Sequence, residues 1–293
     1  MKRRASRLFQ RIVRSCIDEL ELQFGATRLG DAVAQKLLMQ QYRMLAAGGQ
    51  EHLPSLHEVG FRAYSQFEED GILLYLFSLV PPVNRRCVEI CAGDGRECMT
   101  TNLIVNHGWW GYMFDGSEKN VRNGQRFFAN QQDTFLHPPV FTRAWITAEN
   151  VNEQLCTAGA GGVVDLLSLD MDGMDYWVWK AISVIQPRVV VCETNNLIPA
   201  GRALTVPYAR DFVWESDGYC GASLEAMCQL GKSKGYRLVG THRFGFNAFF
   251  MADGVGEELF PEVDPNTRLS DPYTEKRRRD WTEVASKPWQ DVG

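Results

Sequence analysis

From residue 86 onward the chain predicts a doubly wound α/β fold, a mostly parallel sheet that ends in an antiparallel hairpin. Three observations predict it. Short apolar runs rich in β-branched residues alternate with helical segments, the pattern of strands joined by crossover helices. The first run, Arg86-Cys87-Val88-Glu89-Ile90-Cys91, passes through Ala92 into Gly93-Asp94-Gly95 and then into a helical segment from Glu97 to His107. Near the other end, Tyr236–Gly240 and Phe246–Met251 flank a turn containing Gly245, which reads as a hairpin.

Residues 1 to about 48 read as two helices, with Gly25 and Gly30 between them and Gly48-Gly49 ending the second. The first is basic: Lys2, Arg3, Arg4, Arg7, Arg11 and Arg14 precede Asp18, while Leu8, Ile12 and Phe9, Val13 recur at helical spacing. Such a helix suits either peripheral contact with anionic lipid or packing on its own domain or a second subunit. Residues 64–80 form a polar entry and an apolar helix stopped by Pro81-Pro82. Strands are expected at 86–91, 111–115, about 140–146, 163–170 and 188–193. The domain plan is an N-terminal helical arm (1–60), an α/β domain (61–260) and a C-terminal tail (261–293) that wraps the surface.

With 293 residues and 45% hydrophobic content, the chain can bury a large core. A net charge of −5 argues against a general nucleic-acid binder, so no nucleic-acid partner is expected. The eight cysteines contain no CxxC pair, which favours buried free thiols over a metal cluster or disulfide frame. No apolar run approaches the ~18 residues of a membrane span and no secretory h-region is present, so a cytoplasmic location is expected.

In an open α/β sheet, ligands bind outside the carboxyl ends of strands. The first strand ends at Glu89 and the Gly93–Gly95 turn; the second ends in Asp115, about 20 residues beyond the turn, where a carboxylate receives ribose hydroxyls. The third glycine of a dinucleotide fingerprint is replaced by Cys98, which disfavours an NAD-dependent oxidoreductase. An acid beside the turn repels a pyrophosphate and suits S-adenosylmethionine, whose sulfonium and ammonium are cationic. The fourth and fifth strands end in Asp170, Asp172 and Glu193, with Asn195 two residues on. These groups can supply a general base or hold a hard cation such as Mg2+, although Asp172 equally suits a helix cap. His242 is a reserve base. The long connection from Asn195 to Tyr219 carries Arg202, Tyr208, Arg210, Phe212, Trp214 and Tyr219, suited to an acceptor or simply to covering the core.

The chain resembles the Rossmann-like class I S-adenosylmethionine-dependent methyltransferases, and within them the FkbM-like group. The likeness covers roughly residues 60–255 and is carried by Ser65-Gln66 with Glu69-Asp70, Val88–Gly95, Asn106–Trp109, Phe114–Gly116, Leu169–Gly173 and Gly245–Asn247. It implies a seven-stranded sheet with a reversed last strand. It also implies cofactor contacts at Ser65, Gln66, Glu89, Gly93, Asp94, Gly95, Asp115, Gly116 and Asp170, with Ala144 and Trp145 near adenine. Asp115-Gly116 departs from the group's more usual Glu-Pro. The expected activity is O-methylation of a hydroxyl on a sugar or small natural product. An alternative is a non-catalytic assembly module held at a membrane surface by the basic helix; self-association through the helical arm is also an expectation.

Overall fold

The computed structural model describes residues 29–268, 272–278 and 280–293. The basic segment 1–14 and the membrane and subunit contacts expected of it lie outside the described residues, as does Arg279. No helix among the described residues is long and apolar enough to cross a membrane.

After helices α1 (Leu29–Gly48), α2 (Leu56–Val59) and α3 (Glu69–Leu79), strands and helices alternate: β1 (Arg86–Ile90), α4 (Thr101–His107), β2 (Trp110–Asp115), α5 (Glu118–Asn130), β3 (Val140–Arg143), α6 (Val151–Thr157), β4 (Gly162–Leu169), α7 (Asp175–Ala181) and β5 (Ile185–Glu193). A short strand β6 (Leu204–Thr205) precedes α8 (Leu224–Ser233) and the hairpin β7 (Tyr236–Thr241) and β8 (Asn247–Ala252). The tail contains α9 (Pro265–Arg268), α10 (Pro272–Arg278), α11 (Trp281–Val284) and β9 (Gln290–Asp291).

The main sheet has seven strands in the order β3-β2-β1-β4-β5-β8-β7. β1 to β5 pair in parallel, and β8 runs antiparallel to both its neighbours. This is the predicted Rossmann-like, doubly wound sheet closed by an antiparallel hairpin. From β1 the chain builds outward through β2 and β3, then returns to add β4 on the other side. That reversal between β1 and β4 opens a crevice at their carboxyl ends.

Strand side chains alternate between two apolar layers. Cys87, Met113, Leu166, Val191 and Phe249 face one, together with Ile72, Leu73 and Leu76 of α3. Val88, Phe114, Leu167, Val190 and Phe250 face the other, with Trp179 of α7. Burial on both faces is why these strands read as near-continuous apolar runs. α1 joins the first layer: Tyr42 meets Tyr75 edge-on at 4.8 Å, and Gln35 bonds Asn102.

Two strand boundaries differ from expectation by three residues, the others by at most one. β3 stops at Arg143 because its neighbour β2 ends at Asp115, and Ala144 turns away after its N–H bonds the Asp115 carbonyl. β5 starts three residues early and includes Pro187; there only β4 pairs with it, β8 joining at Val189. An imino residue is tolerated on that unpaired edge. His107 lies in the last turn of α4, before Gly108, whose φ of 65° and N–H to the Leu103 carbonyl close the helix.

The cysteine expectation holds in part. Cys87, Cys98, Cys192 and Cys220 are buried free thiols, whereas Cys91 and Cys156 are exposed.

Candidate active site

A cavity of about 670 Å3 occupies the carboxyl ends of the strands at the reversal, within the range usual for small-molecule and cofactor sites. Its walls are the turn after β1, the ends of β2 and β4, residues 144–147 after β3, and residues 208–214 of the long connection.

The turn after β1 is conformationally unusual. Gly93 has φ 54° and Gly95 φ 75°, and Cys91 reaches φ 65° despite its side chain. At the end of β4, Asp172 also has a positive φ, 53°. Left-handed backbone at non-glycine residues is uncommon and clusters where surrounding structure enforces a site geometry. Both outliers line this cavity. A Cβ at Gly93 would enter open space, so this glycine leaves the cavity floor clear; at Gly95 it would strike the Phe128 ring at 2.7 Å. Gly93 therefore faces the cavity, and Gly95 serves close packing beneath it.

Asp115 joins the turn to the second strand. Its Oδ2 accepts the Gly93 N–H at 3.0 Å, and Oδ1 accepts from the Ser117 N–H at 2.8 Å and the Asn120 amide at 3.1 Å. An ionised carboxylate offers about four acceptor positions, so Oδ2 retains capacity toward the cavity it lines. Gly116 lies beneath Trp145, where a Cβ would come within 2.9 Å of the indole. The Trp145 ring N–H donates to the Arg210 carbonyl, and its 55% exposure leaves a broad aromatic face at the mouth.

Glu89 also lines the cavity, but its carboxylate is already engaged. It accepts the N–H groups of Met99 and Thr100 and the hydroxyls of Thr100 and Ser168. These bonds tie β1 to the entry of α4. Ser65 is fully buried, and its hydroxyl and N–H both serve the Asp70 carboxylate. Asp94 pairs with Arg96 at 2.6 Å. Of this motif group, Gln66, Gly93, Asp115, Gly116, Ala144 and Trp145 line the cavity, whereas Ser65, Asp94 and Gly95 support its frame.

Asp170, Asp172 and Glu193 come together at the ends of β4 and β5, with carboxylate oxygens within 4.8 Å of one another. Burial, reinforced by the charges of Asp175 and Asp172, pushes Asp170 up to about 8. Glu193 is raised well above its ordinary range, by burial first and then by Asp170, and its Oε2 has no hydrogen-bond partner. Asp172 is the exposed member of the three, and its partial burial raises it too. Asp175 rises to about 6 through burial, opposed by the N–H groups of Met171 and Gly173. Asp175, rather than Asp172, thus holds the loop that leads into α7.

Asn195, the fourth expected cation ligand, is tied into the long connection. Its amide donates to the carbonyls of Gly218 and Cys220, and its oxygen accepts the Leu197 N–H. Both amide hydrogens serve the long connection, and its oxygen keeps a second acceptor position. His242 is withdrawn from the role of reserve base: it is fully buried and its Nδ1 accepts the N–H groups of Phe244 and Gly245. That pattern places the ring proton on Nε2, 3.3 Å from Glu69. Burial lowers its pKa despite the Glu69 charge. A neutral ring with an occupied acceptor nitrogen cannot take a substrate proton.

Glu69 and Asn247 were not among the candidate site residues, yet both line the cavity. The Asn247 amide donates to Glu69 at 2.9 Å, and Asn247 is the register partner of Glu193 across β5 and β8. Its own Oδ1 is buried and unpartnered. The signal available was the polar residue that opens an otherwise apolar hairpin strand.

The long connection divides by function. Tyr208, Arg210, Phe212 and Trp214 line the cavity. Arg202 and Tyr219 turn to the tail, where Arg202 lies over Trp281 and Tyr219 meets Trp289 edge-on at 4.7 Å. β9 pairs with β6, so the tail wraps and braces the segment that roofs the cavity.

The acid group sets a pH dependence of stability. An unfolded Asp titrates near 3.9, so this acid group holds more protons in the native than in the unfolded chain between about pH 4 and pH 8, and it outweighs the buried His107 and His242, which act in the opposite sense at the acid end of that window. Stability then falls as pH rises across that window, because the unfolded chain gains more from ionising. The midpoint of thermal unfolding without added divalent cations should decline from pH 5 to pH 8. A midpoint that rises over the same range would contradict the desolvated acid group.

No protein-family model matches the chain, and no curated protein does. Among solved structures it is similar to a TehB-like SAM-dependent methyltransferase from Corynebacterium glutamicum, at 12% identity over 75% of this chain and 99% of that one, with a TM-score of 0.38. It is also similar to the N-terminal domain of EvdMO1, solved with SAH and D-fucose, at 12% identity over 73% and 94%, TM-score 0.43. A putative O-methyltransferase from Klebsiella pneumoniae matches at 10% identity over 68% and 86%, TM-score 0.43. At these values the likenesses carry no argument about activity, and what the cavity does has to be read from the chain's own residues.

Proposed function

We propose that the chain is an S-adenosylmethionine-dependent methyltransferase of the FkbM-like kind that methylates a hydroxyl of a small polyhydroxylated acceptor, such as a sugar or a glycosylated natural product. One observation carries the reading. The glycine turn after β1 is hydrogen-bonded to a strand-end carboxylate with acceptor capacity to spare, in the same cavity as a desolvated acid group at the next strand ends.

The cavity fits the donor by chemistry. Asp115 offers acceptors for ribose hydroxyls, Gly93 lets a ligand approach the backbone, and Trp145 offers a face for adenine. Glu69 suits the ammonium of the donor, and the acids at 170, 172 and 193 suit its sulfonium, which S-adenosylhomocysteine lacks. When bound, S-adenosylmethionine supplies a methyl group already activated by its sulfonium. The protein's tasks are then to place the acceptor in line and to remove its proton. Asp170 has the proximity and the raised proton affinity to take it, with Glu193 sharing the charge. Tyr208, Arg210, Phe212 and Trp214 would hold the acceptor from above through ring faces and a guanidinium.

The same three carboxylates fit a hard divalent cation such as Mg2+, since all are oxygen donors and Glu193 has an unpartnered oxygen. When bound, such an ion would acidify a coordinated hydroxyl. Asp170, Asp172 and Glu193 would hold it, and its charge would offset the like-charge repulsion that adds to burial in raising Asp170 and Glu193.

Calorimetric titration separates the donor classes. S-adenosylhomocysteine should bind and NAD should not. Binding of NAD with no response to S-adenosylhomocysteine would reject the methyltransferase reading.

A further inference from the structure

A second cavity, of about 610 Å3, lies at the opposite end of the sheet, under the amino-terminal ends of β1 and β2. We propose that it binds an amphiphilic organic phosphate, with the phosphate among Lys36, Arg43 and Arg85 and the apolar body on the floor beneath them. The site does not depend on the chemistry of the first cavity.

The charge is concentrated against the trend of the molecule. The chain carries −5 overall, yet three permanent cations line this cavity and Asp133 is its one permanent anion. Lys36 and Arg43 come from α1, Arg85 from the turn before β1, and Asp133 from the turn after α5. No hydrogen bond or ion pair among the described residues engages the Lys36 ammonium or the Arg85 guanidinium. Arg43 is aimed by its Nε, which donates to the Ser78 carbonyl at 3.0 Å. Two guanidinium groups and an ammonium match a phosphate dianion in charge and donor geometry.

The turn that presents Arg85 is built rather than incidental. Arg85 has φ 56°, a conformation an arginine seldom adopts. It is held by Asp165, a fully buried carboxylate that accepts the N–H groups of Val83, Asn84 and Arg85 at 2.8, 2.8 and 2.6 Å. Arg188 neutralises that carboxylate at 3.0 Å, so Asp165 is not available to quench the cavity.

His107 reports the local potential. Its ring lines the cavity beside Gln35, and its pKa falls to about 4, through burial first and then the charges of Lys36 and Arg85. Below the cations, Leu74, Phe77, Leu103 and Trp109 are each less than a tenth exposed and give the cavity an apolar floor. A bare inorganic ion would leave that floor unused. A phosphate ester with a hydrocarbon body uses both parts, whether it is a soluble metabolite or the headgroup region of an anionic lipid.

The test uses the full chain and three probes: octyl phosphate, inorganic phosphate, and vesicles of phosphatidylcholine containing phosphatidic acid. Octyl phosphate should bind in calorimetry about tenfold or more tightly than inorganic phosphate, and a Lys36→Ala/Arg85→Ala variant should lose about tenfold or more of that affinity. Both residues are exposed, and an unchanged circular dichroism spectrum would show that the variant folds. Saturation should also raise the His107 pKa, read from the imidazole proton resonances, because a dianion offsets the cations beside it. Vesicle binding lost in the variant would assign the headgroup as source; octyl phosphate binding without vesicle binding would assign a soluble ester. Equal affinity in the variant, no octyl phosphate binding, or an unmoved His107 would each overturn the proposal.

Discussion

Replacing Asp170 by Asn is expected to lower turnover by roughly two to four orders of magnitude, the usual contribution of a positioned base, while leaving the affinity for S-adenosylhomocysteine within about threefold. The substitution keeps the shape of the side chain and removes its ability to take a proton. It also removes one charge from a group in which Asp170, Asp172 and Glu193 approach within 4.8 Å. The second consequence separates a functional acid from a structural one. Where a buried carboxylate holds a fold together, its removal destabilises; here burial and like charges raise Asp170 to about 8, so the Asn variant should unfold at a higher temperature than the parent at pH 8. Loss of turnover with gain of stability is the expected pair. In the parent, turnover should rise with pH through about 8, since only the ionised form accepts a proton, and the variant should lack that rise. Activity that survived both the substitution and chelation of divalent cations would remove the acid group from the chemistry.

Which parts of this arrangement were legible in the sequence follows from where the forces act. The strands announced themselves because they are buried on both faces, and the acids that interrupt them at Asp115, Asp170 and Glu193 mark where the chain meets the crevice. Glycine spacing located the turn after β1, but not that Gly93 faces the cavity while Gly95 packs on Phe128. The roles of polar side chains were harder to read, because they depend on partners distant in the chain. The spacing of Asn195 from Glu193 did not show that its NH2 group would be held by the carbonyls of Gly218 and Cys220. Glu89 lines the cavity as its position at the end of the first strand suggested, but its four donors could not be read from the sequence. Glu69 sits at the start of an apolar helix whose packing dominates the pattern, and only the hairpin brings Asn247 to it, 178 residues along the chain. The brace of β9 on β6 was invisible because two-residue strands carry no periodicity.

Asp115→Ala should weaken S-adenosylhomocysteine binding by roughly 10- to 150-fold, the equivalent of about 1.5–3 kcal/mol for hydrogen bonds to a charged acceptor. The effect has two sources. Direct acceptors for ribose hydroxyls disappear, and the Gly93 N–H loses the bond that fixes the turn after β1. Asp115→Asn distinguishes them. The amide keeps one oxygen, which can still take the Ser117 N–H and the Asn120 amide that now bond Oδ1. Its NH2 group would then face the Gly93 N–H, donor against donor. If fixing the turn dominates, the Asn variant should bind as poorly as the Ala variant, and hydrogen exchange at Gly93 and Gly95 should speed up in both. If direct contact dominates, exchange should stay near the parent rate while affinity falls. Unchanged affinity in the Ala variant would mean that the strand-end carboxylate does not touch the cofactor, and the assignment of this crevice to S-adenosylmethionine would fall with it.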